Sequence, residues 1–183
     1  MNKLLKLNLG CGHFILPGWV NVDVASLPGV DVVHDLNKLP LPFENESVDE
    51  ILCDDVLEHL DYPPILKDCH RILIAGGKLR VHVPHFTSSN NAVDPTHKHQ
   101  FSIKTLNFFC SETFEGKRRS YYNDFAFSRI THRRILFSTA GVFAFNRPIE
   151  ALVNASYRLQ IFYEATGWSR LFPAQDLEIV LVK

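Results

Sequence analysis

The sequence contains no apolar run near the ~20 residues needed to cross a bilayer as a helix. It has no internal repeat and no low-complexity linker, which excludes solenoids and disordered spacers. It carries no excess charge of either sign, since 19 Lys and Arg face 20 Asp and Glu, leaving −1. A protein held on nucleic acid by overall charge is thereby excluded, although a local basic patch is not. Cysteine is sparse, and the four residues Cys11, Cys53, Cys69 and Cys110 form no CxxC pair and no zinc-finger spacing. They read as reduced thiols. The opening Met1–Lys6 lacks the basic region, apolar core and cleavage site of a signal peptide. The expectation is a cytoplasmic protein with no membrane association.

What is present is ordinary for a globular chain: 183 residues, 46% apolar and 21% charged. That length supports one domain with one sizeable core. Up to about residue 86, strand and helix signals alternate at short intervals, as in a parallel α/β sheet. Strands are expected at 4–9, 19–24, 30–33, 48–53 and 79–83. A short helix is expected at 56–60, stopped by Asp61-Tyr62-Pro63-Pro64, and a second at 65–73, closed by Gly76-Gly77. Pro17-Gly18 leaves room for little more than one helical turn in the first crossover. Residues 84–129 show no strong strand and only weak helix at 102–109. A stretch this long between sheet elements usually covers or builds a site. A sixth strand is expected at 129–137, helices at 149–157 and 159–171, and a closing strand at 177–182.

The residues that carry chemistry follow the strands. Asn8-Leu9-Gly10-Cys11-Gly12 ends the first, where glycines let the backbone turn tightly and approach a ligand. An ordinary strand-to-helix turn is the plain alternative. Asp23, eleven positions after Gly12, ends the second strand and could accept from both ribose hydroxyls of a nucleoside. A dinucleotide fingerprint would put that acid ~20 positions on. Asp35-Leu36 follows the third strand, where the acid could accept from an adenine amino group; turn and cap roles are equally open to it. Asp54-Asp55 follows the fourth and could meet a cationic group, or cap a helix.

In this order the segments Leu-Asn-Leu-Gly-Cys-Gly (7–12), Trp-Val-Asn-Val-Asp (19–23), Asp-Leu (35–36), Val-Asp-Glu-Ile (48–51), Val-Leu-Glu-His-Leu (56–60) and Arg-Ile-Leu-Ile-Ala-Gly-Gly-Lys-Leu (71–79) resemble the class I S-adenosylmethionine-dependent methyltransferases. The resemblance is closest to the small branch with a Leu-Glu-His-Leu segment after strand four. It covers roughly residues 4–86 and implies a single domain over 1–183, with 1–86 as the cofactor-binding half, 84–129 as a substrate-covering insertion and 130–183 as closing strands and helices. It implies a doubly wound α/β fold, with a seven-stranded sheet ordered 3-2-1-4-5-7-6 and strand seven antiparallel. It also implies S-adenosyl-L-methionine lying over Leu9, Gly10, Cys11 and Gly12. The ribose would sit on Asp23 beside Val24, the adenine beside Asp35 and Leu36, and the cationic end towards Asp54 and Asp55. The chain departs from the pattern in having Asn8 where an acid is frequent, Phe14 in place of a third glycine, and a curtailed first crossover.

Methyl transfer needs an aligned nucleophile and a place for its proton, and imidazole suits that near neutral pH. His85, His97 and His99 are the candidate bases, with Asp94 as orienter; loop-fixing hydrogen bonds are the alternative. The same residues include metal-ligand types, but their spacing matches no strong metal motif, and no metal is assigned. Lys117, Arg118, Arg119, Arg129, Arg133 and Arg134, with interleaved Tyr121, Tyr122, Phe125 and Phe127, could bind nucleic acid or an anionic substrate, or form a solvated edge. The expected partner is a small-molecule methyl acceptor. An RNA methyltransferase and a nucleotide-binding module without transferase activity are the alternatives.

Overall fold

The computed structural model describes residues 4–183. Seven strands form one sheet in the order β3-β2-β1-β4-β5-β7-β6. They are β1 Lys6–Leu9, β2 Val20–Asp23, β3 Val32–Val33, β4 Val48–Asp54, β5 Leu73–Pro84, β6 Arg129–Leu136 and β7 Asp176–Val182. The pairs from β3 to β5 are parallel, and β7 runs antiparallel to both β5 and β6. Strand order and the sense of β7 are those implied by the sequence resemblance.

Two-residue alternation divides the sheet into unlike faces. Leu7, Leu9, Ile51, Cys53, Leu79, Val81, Val83, Leu177, Ile179 and Leu181 are buried. They share a core with Ile65, Leu66, Cys69 and Ile72 of helix α1 (Tyr62–Ile72). The opposite face carries Lys6, Glu50 and Arg80, with Glu50 accepting from both cations. His132 and Glu178 continue that polar face, each close to half exposed. Parallel sheets are normally covered on both faces. Here charged side chains solvate the second face instead.

The reason lies in the crossovers. Between β1 and β2, β2 and β3, and β3 and β4 the chain runs as turns, with no helix among the described residues. The single helical turn expected in the first crossover is absent. Loop backbone without a helix needs other partners, and a buried asparagine pair supplies them. Asn8 Nδ2 donates to Phe14 O at 2.7 Å and to Asn21 Oδ1 at 3.1 Å. Asn21 Oδ1 also accepts from Leu16 N–H at 2.9 Å. Asn8 thus stands where an acid is frequent because it anchors this loop.

Other expectations shift. Helix α1 begins earlier, with prolines in its first turn, and ends at Ile72; β5 starts at the next residue. Gly76-Gly77 therefore lies in a strand, where the β4–β5 register slips between Val48 and Glu50. The glycines act as a bulge, not as a helix stop. Beyond β5 come α2 Asn90–Val93, α3 Phe114–Arg118, α4 Asn146–Val153, α5 Tyr157–Ala165 and α6 Trp168–Leu171. The single helix expected at 159–171 is split at Thr166-Gly167 into α5 and α6.

Candidate functional site

The carboxyl ends of β1, β2 and β4 form the rim where ligands bind in open α/β sheets. After β1, Gly10 and Gly12 take left-handed φ of 70° and 47°. Gly10 N–H and Cys11 N–H both donate to Val22 O, at 2.8 and 3.0 Å, folding the turn back onto β2. Asp23 Oδ2 accepts from Gly12 N–H at 2.8 Å and Oδ1 from Ala25 N–H at 2.8 Å. The turn and the acid are thus clasped directly. Leu9 and Cys11 are buried beneath it, and Val24 is exposed. Burial, then the charge of Asp23, raises the Cys11 pKa, so the thiol stays protonated. After β3, Asp35 Oδ1 accepts from Asn37 N–H at 3.0 Å, and Leu36 is buried.

After β4 the geometry is denser. Asp55 holds φ of 47°, a strained value for a residue with a Cβ. Asp54 Oδ1 and Asp55 Oδ1 lie 2.7 and 3.3 Å from His82 Nδ1, with Asp176 Oδ2 3.9 Å from Nε2. The Nδ1 contact is close but poorly aligned for a hydrogen bond, so it is best described as an ion pair. Asp54, then Asp55, raises the His82 pKa to about 10 against the opposing effect of burial. Burial raises the Asp176 carboxyl to about 6, while His82 holds it down. A cavity of about 520 Å³ on the polar face opens beside Asp54 and His82.

His82 gains charge on folding. Its stabilisation is complete below the unfolded pKa of 6.5 and is lost as pH rises through about 10. Solvent screening at this partly exposed ring limits the effect to roughly 2 kcal/mol. His82→Gln should lose about that much at pH 7 and almost nothing at pH 10. Urea midpoints of both proteins across this range measure it, and parallel pH curves would contradict it.

The Leu-Glu-His-Leu segment forms a 3-10 turn, Leu57–His59. Glu58 is 1% exposed, and neither carboxylate oxygen has a hydrogen-bond partner. Burial, helped by the negative charge of Asp55, raises its pKa to about 7. Segment 94–99 folds over it: Lys98 N–H and His99 N–H donate to Glu58 O at 2.8 and 3.2 Å. His97 Nε2 lies 3.9 Å from both Glu58 Oε1 and Asp94 Oδ2. The Thr96 hydroxyl, then its N–H, holds the Asp94 pKa below its usual value.

Among the catalytic candidates, Asp94 and His97 stand at this cluster. His99 instead sets its ring edge-on to Tyr62, 5.1 Å between centroids. His85 needs correction. The sequence suggests a ring facing an acceptor, but it is 0% exposed, with Nδ1 2.6 Å from Thr87 Oγ1 and Nε2 3.1 Å from Glu164 Oε1. An imidazole with both nitrogens engaged and no exposed surface reaches no acceptor; it ties the end of β5 to α5. Sequence reasoning gave no role to Glu58, His59 or His82. A signal existed for each, in the quoted Leu-Glu-His-Leu segment and in an isolated histidine on the polar side of an apolar strand.

Segment 84–129 divides. Residues 94–99 reach the rim, whereas Phe101, Ile103, Leu106, Phe109 and Phe127 are buried in the core. The basic stretch is partly engaged within the protein, while Lys117, Arg118 and Arg129 are exposed. Arg133 lies over Tyr157 at 4.4 Å and donates to Asn107, Arg134 pairs with Glu150, and Arg119 lies over Phe108.

The family model matching residues 17–81 is described as a methyltransferase domain. Solved structures match over the whole length. A SAM-dependent methyltransferase from Archaeoglobus fulgidus is 19% identical with a TM-score of 0.61, covering 100% of this chain and 87% of that one. A methyltransferase from Thermotoga maritima, described as a possible histamine N-methyltransferase, is 18% identical with a TM-score of 0.59, covering 100% and 83%. The chain carries the class I methyltransferase fold, and residues 17–81 match a methyltransferase domain. S-adenosylmethionine is the cofactor of that fold and domain. A Mesorhizobium loti methyltransferase matches at 15% identity and a TM-score of 0.56, covering 99% and 91%. Curated protein sequences yield no match. Among the described residues, no helix of this methyltransferase fold is long and apolar enough to cross a membrane.

Proposed function

We propose that this chain transfers a methyl group from S-adenosylmethionine to a small-molecule acceptor. The observation that carries the reading is the clasp between Gly12 N–H and Asp23. Each Asp23 oxygen holds one backbone N–H and keeps lone-pair capacity for a ribose hydroxyl. The glycine turn would lie under the donor, with Val24, Asp35 and Leu36 at its adenosine end. Asp54 and Asp55 would face its cationic end.

Bound there, S-adenosylmethionine would supply an electrophilic methyl group to the acceptor, with the pair of the broken sulfonium–methyl bond left on sulfur. Positioning of the two reactants supplies most of the acceleration. Segment 94–99 covers the acceptor, with Glu58, His59 and His97 beside it. The internal engagement of Arg119, Arg133 and Arg134 favours a small acceptor over RNA.

Asp23→Ala should weaken S-adenosylhomocysteine binding by about 1.5–3 kcal/mol, the worth of hydrogen bonds to a charged group. That corresponds to roughly 10- to 150-fold in dissociation constant. Calorimetric titration of both proteins measures it, and unchanged affinity removes Asp23 from the site. Turnover with candidate acceptors then separates a transferase from a binding module.

A further inference from the structure

The fold of segment 94–99 over the 3-10 turn brings three ligand-type side chains to one point. Glu58 Oε1 lies 4.0 Å from His59 Nε2 and 3.9 Å from His97 Nε2. One ligand atom from each of the three lies within 4.8 Å of the others. The two imidazole rings stand 4.6 Å apart and nearly perpendicular, at 73°.

Two observations point to a cation as the partner of this cluster. The first is the Glu58 carboxylate, 1% exposed with both oxygens unpartnered. Burying such a group without compensation is costly, so something must satisfy it. The second is the tautomer of His59. Thr96 Oγ1 donates its only proton to Asp94 Oδ1, at 2.6 Å. It can therefore only accept from His59 Nδ1, 2.8 Å away. In the neutral ring the proton then sits on Nδ1, and the lone pair lies on Nε2, 4.0 Å from Glu58 Oε1. That lone pair and the buried, unpartnered carboxylate oxygen, 4.0 Å apart, form two sides of a site for a cation.

We propose that Glu58, His59 and His97 bind a divalent transition-metal ion of the zinc type. One carboxylate with two imidazoles is a donor set for zinc or iron, whereas calcium and magnesium take oxygen alone. Ion–ligand distances of about 2.0–2.2 Å put tetrahedral neighbours about 3.4 Å apart. The two carboxylate–imidazole spacings must close by about half an ångström on binding. Glu58 can supply that movement, because no hydrogen bond holds its carboxylate. Three protein ligands leave a position open for water or an acceptor oxygen. Thr96 and Asp94 form the outer shell that orients His59, as carboxylate relays do for metal-bound histidines. His85 and His99, weighed as donors from the sequence, take no part.

The site lies next to the donor turn. Val56, two residues before Glu58, packs so closely on Gly10 that a Cβ there would lie 2.3 Å from Val56 Cγ2. The inference does not rest on methyl transfer, and its test reads binding alone. The untagged full-length chain is stripped with chelator and titrated with Co²⁺, following visible d–d absorption and stoichiometry by equilibrium dialysis. One Co²⁺ per chain, displaced by Zn²⁺, is expected. Glu58→Gln and His97→Ala should each weaken binding by more than about 100-fold, and Thr96→Val by about 10- to 100-fold. Circular dichroism reports whether each variant is folded. Absence of Co²⁺ binding by the wild-type chain overturns the proposal without recourse to any variant. Binding that survives both ligand substitutions places the ion elsewhere and overturns it equally.

Discussion

Gly10→Ala should destabilise the protein by about 3 kcal/mol and abolish its thermal response to S-adenosylhomocysteine. Two costs combine. Gly10 has φ of 70°, where a residue with a Cβ loses about 1–2 kcal/mol. The added carbon would also lie 2.3 Å from Val56 Cγ2 and 2.7 Å from Val56 Cβ. Relieving that overlap costs about 1–3 kcal/mol. Either the segment carrying Val56 after β4 gives way or the turn moves, and moving the turn breaks the paired bonds to Val22 O. Urea unfolding measures the stability loss. Adding Val56→Ala to Gly10→Ala should recover only the share due to the two Val56 methyls, leaving the 2.7 Å approach to Val56 Cβ and the backbone part, a coupling that a double-mutant cycle reads directly. A single variant within about 0.5 kcal/mol of wild type would show that the turn tolerates a Cβ.

Gly116→Ala should be at least as damaging, for a different reason. A Cβ on Gly116 would lie 1.9 Å from Cys110 O and 3.0 Å from Asn107 O. Both are backbone atoms, so no rotamer change relieves the clash. The same two carbonyls accept from Thr113 Oγ1, at 2.9 and 2.6 Å, and Thr113 Oγ1 in turn accepts from Gly116 N–H. Helix α3 is too short to hold together apart from these contacts. The expected loss is about 3 kcal/mol or more. Hydrogen exchange should show raised opening across residues 105–118 while β1 and β4 keep their protection. Normal protection in 105–118 would mean that α3 can shift without cost.

The strands of the first half were legible because their evidence is local. Apolar runs bounded by Gly, Pro and Asp mark β1, β2, β4 and β5 to within a few residues. The glycine turn and Asp23 were legible for the same reason, since each is tied to a strand end. Gly76-Gly77 misled because two glycines terminate helices and bulge strands with the same backbone freedom. Only pairing with β4 distinguishes the two outcomes.

The sequence by itself determined the order of strands and which carboxylates stand at their ends. Periodicity and strand-end position are properties of neighbouring residues, and the order of strands follows once their pattern resembles a known family. The tertiary structure alone decided what each histidine does. His85, His97 and His99 lie within fifteen residues of one another in similar polar-aromatic sequence. Yet one is sealed against Glu164, one faces Glu58 and one packs on Tyr62. Their partners come from residues between 37 and 79 positions away. Long-range contacts of that kind leave no periodic trace in the chain. The role of Glu58 emerged only when segment 94–99 closed over it.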